Sequence, residues 1–92
     1  MSESQFKNKV LAWLRKNYPD AWVYHPSDKW RSGIPDILIL RAKGLTAIEL
    51  KIAPNKPTPL QLHTLQQIKN AGGKTGVAYN LNEVKSIVAG LS

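Results

Sequence analysis

The chain has 92 residues, and its 42% hydrophobic content is typical of one folded domain spanning residues 1–92. A domain of this size buries a modest core, so dimerisation would add useful stability. The absence of cysteine excludes a disulfide framework and a thiolate metal site. The polar N-terminus and the short apolar runs predict neither a signal peptide nor a membrane span.

Charge gives the first indication of a partner. Thirteen Lys and Arg residues against six Asp and Glu residues give a formal net charge of +7 at pH 7. A balance of this kind favours a polyanion, and nucleic acid is the first candidate. A basic surface that only keeps the protein soluble is the alternative.

The N-terminal part predicts a helix followed by a short strand. Residues 2–5 have the spacing of a capping box, and apolar side chains recur at helical intervals from Phe6, which predicts a helix over residues 3–17. Residues 21–25 are rich in aromatic and β-branched side chains and predict a strand. A polar loop is expected over residues 26–33.

The middle of the chain predicts a β-hairpin. Two apolar runs, residues 36–40 and 46–50, are separated by residues 41–44, which indicates a connection of four or five residues. Apolar side chains occupy successive positions in both runs, so we expect both faces of the hairpin to be covered.

The C-terminal half predicts a helix, a strand and a second helix. Thr58 is the expected N-cap of a helix over residues 59–71, which a glycine pair ends. Residues 75–80 predict a strand reached by a crossover, and residues 82–89 a closing helix with Asn82 as its cap. The expected class is therefore α/β, with the order αβββαβα.

The hairpin register decides which polar residues meet. If Leu40 faces Leu45, the numbers of facing residues sum to 85, and Asp36 stands opposite Glu49. Because side chains alternate along a strand, Lys51 falls on the same face as Glu49. The opposite face takes Ile37, Ile39, Ile48 and Leu50.

Two facing carboxylates and a lysine suggest metal-assisted chemistry. Facing Cβ atoms lie roughly 4.5 to 5.5 Å apart, and like charges at that distance need compensation. Oxygen ligands without His or Cys favour Mg²⁺, with Mn²⁺ as a substitute. The cation can activate water and Lys51 can stabilise the transition state, which fits phosphodiester hydrolysis. The alternative is an ordinary surface ion pair between Lys51 and one acid.

These motifs also resemble a known family. Ser32-Gly33-Ile34-Pro35-Asp36, a gap of twelve residues and then Glu49-Leu50-Lys51 resemble the PD-(D/E)xK nuclease signature. Together with Pro59-Leu60-Gln61 at the start of the next helix, they resemble the VRR-NUC branch, in particular its stand-alone, phage-type members. The resemblance implies a restriction-endonuclease-like αβββαβ core, a central mixed sheet flanked by helices, here followed by a short C-terminal helix.

The resemblance also implies roles for individual residues. Asp36 and Glu49 would be metal ligands, the main-chain carbonyl of Leu50 a further ligand, and Lys51 the catalytic lysine. Family members tend to carry an acid on the first helix, where Glu3 is the candidate and would reach the metal through water. Its alternative role is to complement the helix dipole.

Gln61 matches the glutamine that this branch carries on the helix after the ExK strand. It shares a helix face with apolar residues, and a buried glutamine needs polar partners, so we predict a place in the catalytic site.

Four further residues are predicted to contact DNA because they lie on the loops beside the motifs: Lys29, Trp30, Arg31 and Lys56. Trp30 between two cations suits stacking on an unpaired base. The alternative for this side chain is packing within its own domain or against a subunit partner.

The family resemblance implies a structure-selective DNA endonuclease. Compact members resemble Holliday junction resolvases that act as homodimers, and a two-fold dimer matches the symmetry of a four-way junction. A phage-encoded enzyme of this kind would act in the cytoplasm of its bacterial host. The alternatives are a flap or single-strand nuclease of the same family, a non-catalytic DNA-binding module, and a structural protein.

Overall fold

A computed structural model describes residues 1–26 and 33–90. Its elements in chain order are α1 (Glu3–Asn17), β1 (Trp22–Tyr24), β2 (Ile37–Arg41), β3 (Gly44–Leu50), α2 (Pro59–Asn70), β4 (Lys74–Ala78) and α3 (Leu81–Ala89). The predicted order αβββαβα and the α/β class are confirmed. In this part of the chain, no helix combines the length and the apolar character needed to cross a membrane.

The four strands form one mixed sheet in the order β1-β2-β3-β4. The pairs β1–β2 and β2–β3 are antiparallel, and β4 runs parallel to β3. A parallel neighbour cannot be reached by a tight turn, so the chain crosses over through α2. Helix α2 contacts β3 and β4, whereas α1 and α3 contact each other and the sheet.

The core lies on one face of the sheet, against α1 and α3. The apolar hairpin residues predicted to share a face are all fully buried there: Ile37, Ile39, Ile48 and Leu50. Four side chains of α1 and three of α3 complete the cluster: Phe6, Val10, Leu11, Leu14, Val84, Ile87 and Val88. This packing fixes the register of the hairpin, because a slip of one residue would turn each strand's apolar set toward the other face.

The hairpin has the predicted register but a tighter turn. Leu40 faces Leu45, as expected, and the pairing continues to Arg41 opposite Gly44. Only two residues therefore connect the strands, instead of four or five. Gly44 has a φ of 122°, a conformation that side-chain-bearing residues rarely adopt, which lets the second strand begin directly after the turn.

Capping boxes begin the first two helices, as the sequence indicates. The backbone N–H of Gln5 donates to Ser2 Oγ over 3.1 Å, and the Ser2 N–H donates to Gln5 Oε1 over 2.8 Å. Thr58 is the N-cap of α2, and proline occupies the first helical position, where a missing N–H costs nothing.

The cap predicted for α3 is wrong by two residues. Asn80, rather than Asn82, caps this helix and accepts a hydrogen bond from the Glu83 N–H over 2.9 Å. The reason is that β4 ends at Ala78, earlier than predicted, so the chain has room to begin the helix at residue 81.

Helix α3 approaches β4 closely at Gly76. A Cβ atom added to Gly76 would lie 2.5 Å from Cδ1 of Ile87, closer than carbon atoms can pack. We therefore expect Gly76→Val to lower the free energy of unfolding by about 1 to 3 kcal/mol through overpacking. Urea denaturation measures this change.

The matched control is Thr75→Val, one residue earlier in β4 and on the other face of the sheet, which should change stability little. Wild-type stability in Gly76→Val would show that α3 does not pack against the strand as described.

Candidate active site

Asp36 lies at the open end of the hairpin. The β2–β3 ladder ends at Ile37 opposite Ile48, and the same register places Asp36 opposite Glu49. The Leu50 N–H donates to Asp36 Oδ2 over 2.9 Å. The carboxylate thus accepts a main-chain hydrogen bond from β3 just beyond the last residue pair, and this bond fixes its orientation.

Glu49 is buried although it is an acid. Its side chain is only 2% exposed, and its Oε2 atom is buried without a hydrogen-bond partner in the part of the chain described. An unpartnered buried carboxylate oxygen is costly because it has lost its water and gained nothing in return. This burial argues against the ordinary surface ion pair.

The pKa of Glu49 is strongly perturbed by its surroundings. The pKa of Glu49 is raised from 4.5 to about 9, first by burial and then by the hydrogen bond and the negative charge of Asp36. The positive charge of Lys51 lowers this pKa but is outweighed. Two carboxylates that share a dry site hold one proton between them, so Glu49 is the protonated member at neutral pH when no cation is bound.

Lys51 and Leu50 follow Glu49 directly. The Lys51 N–H donates to the carbonyl oxygen of Ala78 over 3.0 Å, which ties this segment to β4. The side chain of Lys51 is half-buried, and its charge acts on the Glu49 carboxyl. Lys51 therefore acts by its charge on the carboxylate pair, whereas its catalytic role and the ligand role of the Leu50 carbonyl stay predictions.

Glu3 is exposed in the first turn of α1. Its negative charge contributes to the raised pKa of Glu49, although it is the weakest of the causes. The N-terminus of α1 is therefore near enough to the carboxylate pair to act through charge. The helix-dipole role and the water-mediated role both remain open.

Gln61 has a different environment from the one predicted. It is half-buried rather than buried, and its Oε1 accepts a hydrogen bond from the Thr58 N–H over 2.9 Å. Its own N–H donates to Thr58 Oγ1 over 3.2 Å. Gln61 thus completes the capping box of α2, and its part in catalysis stays a prediction.

Of the four predicted DNA contacts, Lys29, Trp30 and Arg31 lie outside the described residues. Lys56 is exposed on the loop between β3 and α2. The Tyr79 hydroxyl donates to the carbonyl oxygen of Asn55 over 2.9 Å, so the loop is held against the end of β4 beside the carboxylate pair.

The donor set fits a hard cation with few protein ligands. Within residues 1–26 and 33–90, no group of three or more His, Cys, Asp or Glu side chains is placed to hold a metal. Two carboxylates and the carbonyl of Leu50 suit Mg²⁺, which keeps several waters and is completed by substrate phosphate. The unpartnered Oε2 of Glu49 fits such a cation, because a positive charge would compensate both acids.

Sequence analysis assigned no role to two exposed aromatic residues of β1. Trp22 and Tyr24 face Leu40 and Leu38 of β2, which alternate with the core residues and so share the face of Asp36. Their spacing of two residues predicts a shared face. Whether a helix covers that face depends on where α2 packs, which local sequence does not reveal.

The raised pKa of Glu49 makes stability depend on pH. Because the folded protein binds this proton more tightly than the unfolded chain, its contribution is fully present below pH 4.5 and is lost as pH rises toward 9. We expect metal-free protein to lose about 1 kcal/mol of unfolding free energy per pH unit across this window. Urea denaturation in chelator from pH 5 to pH 9 measures the slope.

Glu49→Gln has no proton to lose and should abolish most of this slope, whereas Glu83→Gln on α3 should keep it. Equal slopes in wild type and Glu49→Gln would contradict the assignment of the raised pKa.

No family model and no curated protein matches the chain, whereas several solved structures match its fold, among them two VRR_NUC domains. One, described as a "VRR_NUC domain protein", aligns with a TM-score of 0.83 and 19% identity over 99% of this chain and 88% of its own. Another, a "VRR_NUC domain", aligns with a TM-score of 0.67 and 23% identity over 90% of this chain and 94% of its own. The chain therefore has the VRR-NUC domain fold that its motifs predict.

Proposed function

We propose that this protein is a Mg²⁺-dependent DNA endonuclease of the PD-(D/E)xK type, within the VRR-NUC branch. The observation that carries the proposal is the pair of half-buried Asp36 and buried Glu49, with Lys51 on the same face of the hairpin. The net charge of +7 favours the polyanionic substrate, and the VRR-NUC fold agrees with nuclease chemistry.

Asp36, Glu49 and the carbonyl of Leu50 would hold the cation. When bound, Mg²⁺ activates a water and neutralises charge on the phosphate. The main-chain hydrogen bond from the Leu50 N–H to Oδ2 of Asp36 fixes the orientation of this carboxylate. To hold the cation, Glu49 would have to release its proton to solvent water, and the nearby positive charge of Lys51 favours that release. Lys51 then donates to the attacking water or to the phosphate as negative charge develops.

The preferred substrate is branched DNA, most specifically a four-way junction cut by a homodimer. This part of the proposal rests on the resemblance to compact members of the branch and on symmetry, because a two-fold dimer carries two equivalent sites for two strands. If the chain is phage-encoded, it acts in the cytoplasm of the bacterial host.

A flap or single-strand nuclease is the second candidate, and a non-catalytic DNA-binding module is the third. The three motif residues, Asp36, Glu49 and Lys51, are all present, which argues against the third.

We expect the protein to cleave a synthetic four-way junction faster than a flap or a plain duplex when Mg²⁺ is supplied. Lys51→Ala should lower the cleavage rate about 100-fold or more, as loss of one transition-state donor does. Gel assays of the three substrates, made from related strands, measure both effects.

The matched control is Lys43→Ala at the hairpin turn, an exposed lysine at the opposite end of β3. It makes the same change in net charge and should retain most of the activity. If no substrate is cleaved, or if Lys51→Ala keeps full activity, the proposed nuclease function is wrong.

We also expect direct Mg²⁺ binding that depends on the carboxylate pair. Asp36→Asn should weaken binding at least about ten-fold, because a charged ligand is lost from a site with few others. Isothermal titration of the DNA-free protein measures the affinity. Asp20→Asn, at an exposed acid just after α1, is the control and should bind like wild type. Equal affinities in all three proteins would place the cation elsewhere.

A further inference from the structure

A patch of large apolar side chains is exposed on β1 and β2. Trp22 is 56% exposed, Tyr24 46% and Leu40 49%, although side chains of these types are usually better covered. We call these two aromatic residues and the leucine on β2, between β1 and β3, the aromatic patch. An exposed cluster of this kind commonly marks a binding surface.

The register places the aromatic patch on the face of the carboxylates. Trp22 faces Leu40 and Tyr24 faces Leu38, and directly paired residues point to the same side of a sheet. Leu38 and Asp36 are two residues apart, so they also share that side. The patch is therefore continuous with the catalytic face and does not belong to the opposite, core-bearing face.

The covering of this face is uneven. Helix α2 contacts β3 and β4, where Glu49 is buried. Among the described elements, no helix contacts β1 or β2 on this side. The sheet is thus dry around Glu49 and open to solvent at the aromatic patch.

The two rings lie nearly parallel and within reach of a strand held at the carboxylates. Their planes differ by 10° and their centroids are 5.7 Å apart, so the rings stack on each other and a base would use their outer faces or edges. From Asp36, ideal strand geometry puts the backbone of Tyr24 about 7 Å along β2 and about 5 Å across to β1. Nucleotides that adjoin the scissile phosphate can therefore extend over both rings.

We infer that Trp22 and Tyr24 form a stacking platform for unpaired bases of the DNA substrate. This inference rests on the proposed nuclease function and adds that the branched substrate presents unpaired bases at the cleavage point, as a flap or a junction with an opened centre does and a fully paired junction does not. Flat exposed rings on a protein with a net charge of +7 suit single strands, because every base has a face that stacks. Bases inside an intact duplex are already stacked and would gain nothing from the platform.

A second copy of the chain is the competing occupant, and two observations disfavour it. Each of the three side chains has at most ~250 Å² of surface and is about half exposed, so together they expose under ~400 Å². A stable dimer buries ~800 Å² per partner, about twice that area. Strand β1 also has only three residues, which offers few edge hydrogen bonds to another strand.

The test compares binding of a labelled oligothymidylate with binding of a labelled duplex of matched length, by fluorescence anisotropy in chelator. Omission of divalent cations separates binding from cleavage. We expect Trp22→Thr and Tyr24→Thr each to weaken oligothymidylate binding about ten-fold or more, and duplex binding less than about two-fold. Threonine removes the ring but keeps a high preference for strands.

Three further variants complete the design. Trp22→Phe keeps a ring and should retain most of the single-strand affinity, which also guards against a folding defect in Trp22→Thr. Leu40→Ala lies in the patch without a ring, and Leu62→Ala lies on α2 at 51% exposure. Both should bind oligothymidylate nearly as wild type does.

Three other results would overturn the platform, the role of the patch or the proposed function. Single-strand affinity that is unchanged in both threonine variants, while wild type binds DNA, overturns the platform alone. A second result is a wild-type dimer, seen by light scattering, that both Trp22→Thr and Leu40→Ala dissociate. If the single-strand affinity per subunit is then unchanged, the patch is a self-association surface and not a platform. Wild-type protein that binds neither DNA overturns the proposed function together with the platform.

Discussion

Two carboxyl groups that face each other in a dry place are the constraint on which this structure depends. Asp36 and Glu49 meet at the end of the hairpin, where Glu49 is 2% exposed. Repulsion alone would separate them, but the strands cannot slip, because their apolar residues are buried on the opposite face. Core packing therefore holds two acids together, and only a proton or a cation can relieve the repulsion.

The helices divide the catalytic face into a dry part and an open part. The crossover helix α2 contacts β3 and β4, and Glu49 of β3 is buried, which is the first cause of its raised pKa. The helix does not extend over β1 and β2, so Trp22 and Tyr24 remain exposed on the same face. One sheet surface thus combines the proposed cation site, beside Lys51, with the surface proposed to bind bases.

The hairpin register could be predicted from sequence because a short connection between two apolar runs allows few ways of pairing them. Local sequence did not determine the cap of α3, the environment of Gln61 or the exposure of the aromatic residues on β1. Asn80 and Asn82 are both suitable caps, and the choice depends on where β4 stops pairing with β3. The spacing around Gln61 also fits a capping box, yet the resemblance and the apolar helix face led to a predicted place in the site. The exposure of Trp22 and Tyr24 depends on the position of a helix distant in sequence.

A crystal structure with Mn²⁺ present tests the central claim most directly, because anomalous scattering locates this ion without reference to the protein atoms. The account predicts a peak that contacts carboxylate oxygens of both Asp36 and Glu49 and the carbonyl oxygen of Leu50, at about 2.1 to 2.2 Å, with waters completing an octahedron. Asp36 and Glu49 hydrogen-bonded to each other, with no peak between them at saturating Mn²⁺, would contradict it.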